Sequence, residues 1–170
     1  TIFYKLFTVK QNNPAHSTTL ETIKDFLQST ISNMPKSNKS NSKTIEIPVS
    51  FNKEFALDLE FVATHNNLKP QEIIEIFLSQ TYKVFMIGFL PGFAYMGELD
   101  AKIATPRKRT PRMKVPKGSV GIAGQQTGIY PLESPGGWQI IGKTDVELFL
   151  PNNKNPTLFQ TGDLVTFIET

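Results

Sequence analysis

The segment GGWQIIGKT, residues 136–144, carries glycine, lysine and threonine at the spacing of a phosphate-binding loop. Gly137, Gly142, Lys143 and Thr144 fit G-x-x-x-x-G-K-[ST], in which backbone N–H groups and a lysine hold nucleotide phosphates. Such a loop needs a helix N-terminus directly after it. Here the four variable positions favour an extended backbone, and the following DVELFLP alternates like another strand. We therefore interpret the match as a strand between two turns.

A second candidate for chemistry is a basic stretch, because no acidic residue occurs between Ala101 and Leu132. Arg107 and Arg112 lie there in two Thr-Pro-Arg units, where proline fixes φ and stiffens the loop. Their planar guanidinium groups suit a carboxylate or a phosphate. The alternatives are a solvated basic loop or a structural ion pair. We expect the neighbouring Lys108 and Arg109 to face water.

The residues that usually perform nucleophilic or metal chemistry are scarce. The chain has no Cys and only two His, His16 and His65. This excludes disulfides and cysteine nucleophiles, and we predict no bound metal because a multi-histidine site is not available. Both histidines are expected in the helical part, away from the segments between Gly88 and Thr144. No carboxylate is identified as a general base, so the catalytic residues stay unassigned.

The elements that must position these residues differ between the two halves, since all eleven glycines lie at or beyond Gly88. IFYKLFTVK from Ile2 alternates like a strand, and Thr18 with Glu21 has the spacing of a capping box that opens a helix. The polar run PKSNKSNSK from Pro35 is typical of a linker. A strand, TIEIPVSF, is predicted from Thr44.

Residues 57–80 predict two helices joined by a turn at Asn66-Asn67, the second beginning at Pro70. This pattern also allows a helix-turn-helix DNA reader. The second helix, however, carries Glu72 and Glu75 and no Lys or Arg, so phosphates would repel it. We predict no nucleic-acid partner.

From Tyr82 onward the sequence breaks into short segments that favour strands, separated by Gly and Pro. They are YKVFMIGF, SVGIAG, TGIYP, WQIIG, VELFL and DLVTFIE. Frequent short strands with turn signals indicate a barrel or a sandwich. No apolar run approaches the roughly 20 residues of a membrane span, so we predict no membrane partner.

Three segments resemble a known family: GFLPGFAYMGELD (88–100), ATPRKRTPRMKVPKGSVGIAGQQTGIYP (104–131) and ESPGGWQIIGKT (133–144). They are similar to the family of the 5-oxoprolinase B-type subunit, whose members are also labelled allophanate hydrolase subunit 1 or KipI-like. The upstream IPVSFNKEFALDLEFVATHNNLKPQEII fits as well, so the resemblance covers roughly residues 44–170. Family members commonly have Arg where this chain has Lys143, which also weakens the interpretation of that residue as a phosphate-loop lysine.

The resemblance implies a mainly β protein with an α/β N-terminal part. Residues 44–170 are expected to form a cyclophilin-like β-barrel as the C-terminal domain. Residues 1–35 are expected to be a partial α+β domain, of which only the final strand and helix are present, and residues 36–43 to be the linker. This departure from the family pattern puts independent folding of the N-terminal piece in question.

The resemblance implies two alternative functions. In the first, the chain is a non-autonomous subunit of a bacterial, cytoplasmic, ATP-dependent 5-oxoprolinase, which hydrolyses 5-oxoproline to L-glutamate. It would be inactive alone and would act with C-type and A-type subunits, the A-type carrying the nucleotide step, so that this chain itself binds no cofactor. In the second, it is a KipI-like protein that binds and inhibits a sensor histidine kinase.

The matched segments supply the candidate substrate-binding residues. Arg107 and Arg112 are candidates for an anion. Aromatic side chains are candidates for the wall of a pocket, although barrel core is the alternative, which we favour for Phe93. A predicted turn of small residues at 134–137, with two nearby polar side chains, could receive a planar amide such as a lactam. Besides the two arginines, the candidates are Phe89, Tyr95, Gln126, Thr127, Tyr130, Ser134, Gly136, Gly137 and Trp138.

Overall fold

The computed structural model describes residue 9, residues 18–33 and residues 42–170. The chain divides into two compact units, Thr1–Ser40 and Asn41–Thr170. Apart from Val9, which has helical backbone, the strand predicted from Ile2 lies outside the described residues, as does most of the predicted linker. In the first unit, helix α1 (Thr19–Ser32) opens with the predicted capping box between Thr18 and Glu21.

Within residues 42–170, the second unit contains two helices, nine strands and one short 3₁₀ turn, and the strands predominate. Helix α2 (Leu59–His65) and helix α3 (Pro70–Leu78) confirm the two helices predicted from the sequence, with Pro70 at the first helical position. The strands are β1 (Thr44–Val49), β2 (Thr81–Ile87), β3 (Ala94–Gly97), β4 (Arg112–Val115), β5 (Ser119–Ala123), β6 (Gln126–Ile129), β7 (Ser134–Gly136), β8 (Gln139–Lys143) and β9 (Leu164–Glu169).

Seven of these strands form one sheet in the order β1-β9-β2-β3-β6-β5-β8. Among these seven, β1 and β9 pair in parallel and the other neighbours are antiparallel. Paired hydrogen bonds of 2.8 and 2.9 Å between the backbones of Ser50 and Lys143 bring the first strand of this order to the last. The sheet thus curls into a cyclophilin-like β-barrel, as predicted. The other two strands, β4 and β7, form a separate two-stranded ribbon.

The core explains why these segments become strands and helices. Alternate residues of β1, β2 and β9 point into the barrel, and the buried faces of α2 and α3 pack on the same cluster. Strand β8 is buried on both faces, since Ile141 joins this main core while Ile140 joins a smaller cluster around Phe93. That second cluster, built mainly from aromatic rings, lies where the candidate residues converge.

Two predicted elements are wrong. VELFL is not a strand, because only Phe149 forms an isolated bridge, to Thr157, in a loop that Pro151 and Pro156 prevent from pairing further. The segment Ser134–Gly136, predicted as part of a turn, is strand β7 and pairs with β4. By contrast, Gln139–Lys143 is the strand that we predicted in place of a phosphate loop. No helix in the described part of the chain is both long enough and apolar enough to span a membrane.

Candidate functional site

A cavity of about 320 Å³ opens between the ribbon, the loop before β3 and the barrel wall. Eight of the eleven candidate residues line it: Phe89, Tyr95, Arg107, Gln126, Tyr130, Gly136, Gly137 and Trp138. Phe93, Pro111, Ala123 and Pro135 complete the wall. The cavity therefore brings together residues that lie between positions 89 and 138 in the chain. In the sequence, only the family resemblance had grouped them.

The aromatic wall of this cavity is organised around Phe93, which is 1% exposed. Tyr95, Tyr130 and Trp138 approach its ring edge-to-face, with centroids 4.9, 5.3 and 5.4 Å away. This geometry is favourable for aromatic quadrupoles. Phe93 is thus barrel core, as expected, and it also forms the floor of the cavity.

Phe89 lies at the mouth of the cavity, with 62% of its surface exposed. Its ring meets Phe93 edge-to-face at 5.6 Å. Its φ is 72°, in the left-handed region that bulky side chains seldom occupy. The backbone conformation therefore holds an exposed ring beside the opening.

Arg107 supplies the positive charge in the cavity lining. No carboxylate within residues 42–170 forms an ion pair with its guanidinium. Tyr130 lies close by, and burial raises the pKa of its hydroxyl above the ordinary value. The hydroxyl is therefore neutral at physiological pH and available as a hydrogen-bond donor.

Three candidate residues lie outside the cavity lining. Thr127 is buried and its hydroxyl donates to the carbonyl oxygen of Gly121 at 3.0 Å. Ser134 is buried, with its hydroxyl on the carbonyl of Pro135. The guanidinium of Arg112 donates two hydrogen bonds of 2.7 Å to the buried carboxylate of Asp58. Arg112 therefore forms a structural ion pair, which was the alternative to its binding a ligand anion.

Asp58 is the residue that the sequence reasoning missed. It precedes helix α2 and accepts from the backbone N–H of Ile140 at 2.7 Å and from Lys108 Nζ at 3.1 Å, besides Arg112. Burial by itself would raise the pKa of Asp58, but the hydrogen bonds from Arg112, Ile140 and Lys108 outweigh it and leave this pKa below its ordinary value. The only signal in the sequence was a lone Asp in an apolar stretch.

Two further expectations are wrong. Lys108 is only partly exposed to water, because its ammonium group reaches Asp58, whereas Arg109 is exposed as expected. His65 does not lie away from the matched segments, since the short helix α2 brings it beside Arg107 and Arg109 in a second cavity. In the described part of the chain no three His, Asp or Glu side chains come together as a metal site.

Comparison with known proteins shows which family this chain matches. The model of the carboxyltransferase domain, subdomains C and D, matches residues 4–159. The B-type subunit of 5-oxoprolinase from Bacillus subtilis is 44% identical over 99% of this chain and 70% of its own length. Its Haemophilus influenzae counterpart is 52% identical over 73% of this chain and 58% of its own length. The chain therefore spans between 58% and 70% of these two relatives.

Solved structures agree. An uncharacterised protein of Pyrococcus horikoshii, PH0987, is 45% identical with a TM-score of 0.73, over 89% of this chain and 66% of that one. The urea amidolyase of Kluyveromyces lactis has a TM-score of 0.70 at 22% identity, over 89% of this chain and 11% of that one, and shares the fold. The family model, the relatives and the barrel together show that the chain belongs to the family of the 5-oxoprolinase B-type subunit.

Proposed function

We propose that this chain is the B-type subunit of an ATP-dependent 5-oxoprolinase, and that the cavity around Phe93 binds 5-oxoproline. One observation carries the proposal: the cavity joins the guanidinium of Arg107, which has no ion-pair partner within residues 42–170, to an aromatic wall and to amide groups. 5-Oxoproline has the matching features, a carboxylate, an apolar ring edge and a planar lactam. The two relatives from Bacillus subtilis and Haemophilus influenzae, both named as 5-oxoprolinase subunits, support the choice of ligand.

Each part of the cavity has a defined role in this proposal. Arg107 pairs with the carboxylate through its planar fork. The ring methylenes pack on Phe93 and Trp138, and the lactam meets the side-chain amide of Gln126 and the backbone at Gly136 and Gly137. The cavity volume of about 320 Å³ suits a ligand of this size.

Among the described residues that line this cavity there is no carboxylate, histidine, lysine or cysteine. The lining can hold and orient the lactam but offers no ordinary acid or base to open it. A lactam is a poor electrophile, and ATP would activate it by phosphorylating its oxygen. We therefore propose that the chain acts in the cytoplasm with C-type and A-type subunits and is inactive alone.

Fluorescence tests the ligand directly, because Trp138 is the only Trp in the chain and lines the cavity. Titration with 5-oxoproline should change its emission. 2-Pyrrolidinone, which lacks the carboxylate, should bind at least about tenfold more weakly. Arg107→Ala should abolish that preference, whereas Arg107→Lys should retain part of it.

The proposal would be rejected if saturating 5-oxoproline neither changed the emission of Trp138 nor gave a heat of binding in calorimetry. Equal affinity for 2-pyrrolidinone and 5-oxoproline would reject the role of Arg107. The kinase-inhibitor alternative has no supporting observation among the relatives described above. A kinase pull-down would be the next experiment only if 5-oxoproline did not bind.

A further inference from the structure

A second cavity, of about 630 Å³, opens between helix α2 and the basic loop. Its lining includes Phe61, His65, Arg107, Lys108, Arg109 and Gln139. Arg107 also lines the first cavity, so the two cavities adjoin at this side chain. None of the described residues that line the second cavity is acidic.

The charge in the second cavity is largely uncompensated. Lys108 shares the carboxylate of Asp58, but neither Arg107 nor Arg109 forms an ion pair within residues 42–170. Two such guanidinium groups on one stiff loop suit the several oxygens of a polyphosphate.

An aromatic surface lies beside this charge. Phe61 and His65 are one turn apart on helix α2, with ring centroids 6.0 Å apart and 22° between the planes. Phe61 is 53% exposed. Aromatic faces next to arginines are the combination on which flat nucleic-acid bases stack.

Gln139 adds a specific polar group to the wall. Gln139 is 2% exposed, and its side-chain amide nitrogen donates a hydrogen bond to the carbonyl oxygen of Pro106 at 2.8 Å. That bond fixes the orientation of the amide. The other amide atom, Oε1, is the one buried side-chain polar atom in the described part of the chain without a hydrogen-bond partner. Gln139 therefore gives the wall a fixed shape, and the preference for a nucleotide over a bare phosphate rests on Phe61 and His65.

We propose that the second cavity binds a nucleoside triphosphate, with the base against Phe61 and His65 and the phosphates on Arg107 and Arg109. The phosphate end then lies beside the first cavity, because Arg107 borders both. The choice of a triphosphate as the ligand rests on the proposed function, whereas the site itself is inferred from the basic and aromatic residues that line the cavity. The proposal gives this chain a nucleotide contact that the family resemblance led us to expect only in the A-type partner.

Calorimetric titration of the full-length subunit with magnesium-ATP, without 5-oxoproline, tests the site. Arg109→Gln should raise the Kd at least about tenfold. Lys114→Gln removes an equal charge from a side chain outside the cavity and should leave the Kd within about twofold, since exposed charges at a distance are screened. Thermal melting checks that both variants are folded.

Tripolyphosphate separates nucleotide recognition from simple phosphate binding. Phe61→Leu should remove the preference for ATP over tripolyphosphate, whereas Phe85→Leu, at 51% a similarly exposed ring, should keep it. Absence of ATP binding, an unchanged Kd in Arg109→Gln, or equal affinity for ATP and tripolyphosphate would each overturn the proposal. If the protein binds 5-oxoproline but not ATP, the nucleotide site is rejected and the proposed function is kept. If it binds ATP but not 5-oxoproline, only the proposed function is rejected.

Discussion

At the scale of single residues, Asp58 connects three parts of the molecule that surround the two cavities. Its carboxylate binds Arg112 in the ribbon, Lys108 in the basic loop and the backbone N–H of Ile140 in β8. Its own backbone N–H donates to the carbonyl of Ile140 at 2.8 Å. The stiff loop that presents Arg107 is therefore anchored at both of its basic neighbours, Lys108 and Arg112.

Replacing Asp58 by Asn should lower the free energy of unfolding by about 3 kcal/mol or more, because it leaves the partly buried guanidinium of Arg112 without its charge partner. Urea unfolding measures this change. Glu60→Gln, an exposed change on the same helix, is the control and should have little effect. An unchanged urea midpoint for Asp58→Asn would contradict the role given to this carboxylate.

The lowered pKa of Asp58 also predicts a pH dependence. The stabilisation from an acid with a depressed folded-state pKa is fully present above its ordinary value of 3.8 and is lost as the pH falls below it. The difference in stability between the wild-type protein and Asp58→Asn should therefore be largest near neutral pH and shrink below about pH 4. Urea midpoints measured from about pH 7 to about pH 3 test this, and a difference that grows in acid would contradict it.

The two glycines at the cavity wall differ in the space around them. A Cβ on Gly136 would lie 2.9 Å from two ring carbons of Tyr130, whereas a Cβ on Gly137 would have its nearest neighbours at 3.7 Å. Gly136→Ala should therefore displace Tyr130, cost about 1–3 kcal/mol and weaken 5-oxoproline binding. Gly137→Ala, the matched control for stability, should retain the wild-type melting temperature. Equal melting temperatures of the two variants would contradict this description of the wall.

At the scale of elements, strand β8 shows what the phosphate-loop pattern actually does. Gly142 lies where the sheet meets its first strand: a Cβ there would lie 2.7 Å from Val49 and 3.0 Å from the carbonyl oxygen of Ser50. Lys143 places its ammonium group 4.9 Å from the centre of the Phe55 ring. Gly142 thus serves the closure of the barrel through this close approach, and Lys143 through the pairing of its backbone with Ser50.

Substitutions in β8 should separate barrel closure from catalysis. Lys143→Met should leave turnover of the assembled enzyme within about twofold, because a partly exposed cation contributes little. Gly142→Ala should lower stability by about 1–3 kcal/mol through the clash with Val49. Abolished turnover in a fully folded Lys143→Met variant would restore the phosphate-loop interpretation.

The elements also show how far the sequence leads. Periodicity, the Asn66-Asn67 turn and Pro70 predicted both helices of the barrel unit and most of its strands, since these signals are local. VELFL failed because alternation alone does not provide a pairing partner. The contacts of Asp58 could not be predicted, because residues 50 or more positions apart meet only after the barrel forms. The candidate residues came from the family resemblance, and the cavity explains why eight of them lie together.

At the scale of the whole molecule, the barrel unit presents two adjoining cavities with different chemistry. The first is aromatic and suits a small lactam acid, whereas the second is larger, basic and suits a polyphosphate. Within residues 42–170, no carboxylate lines either cavity. The groups that open the lactam would therefore come from partner subunits, and the chain would work as a binding component of a larger enzyme.

The central claim is most directly tested by ATP-dependent formation of glutamate from 5-oxoproline, with the full-length protein mixed with candidate A-type and C-type subunits. Glutamate should form only when this subunit is present, and Arg107→Ala should raise the KM for 5-oxoproline at least about tenfold. A stable, assembled complex that forms no glutamate, or one that forms it equally well without this subunit, would contradict the account.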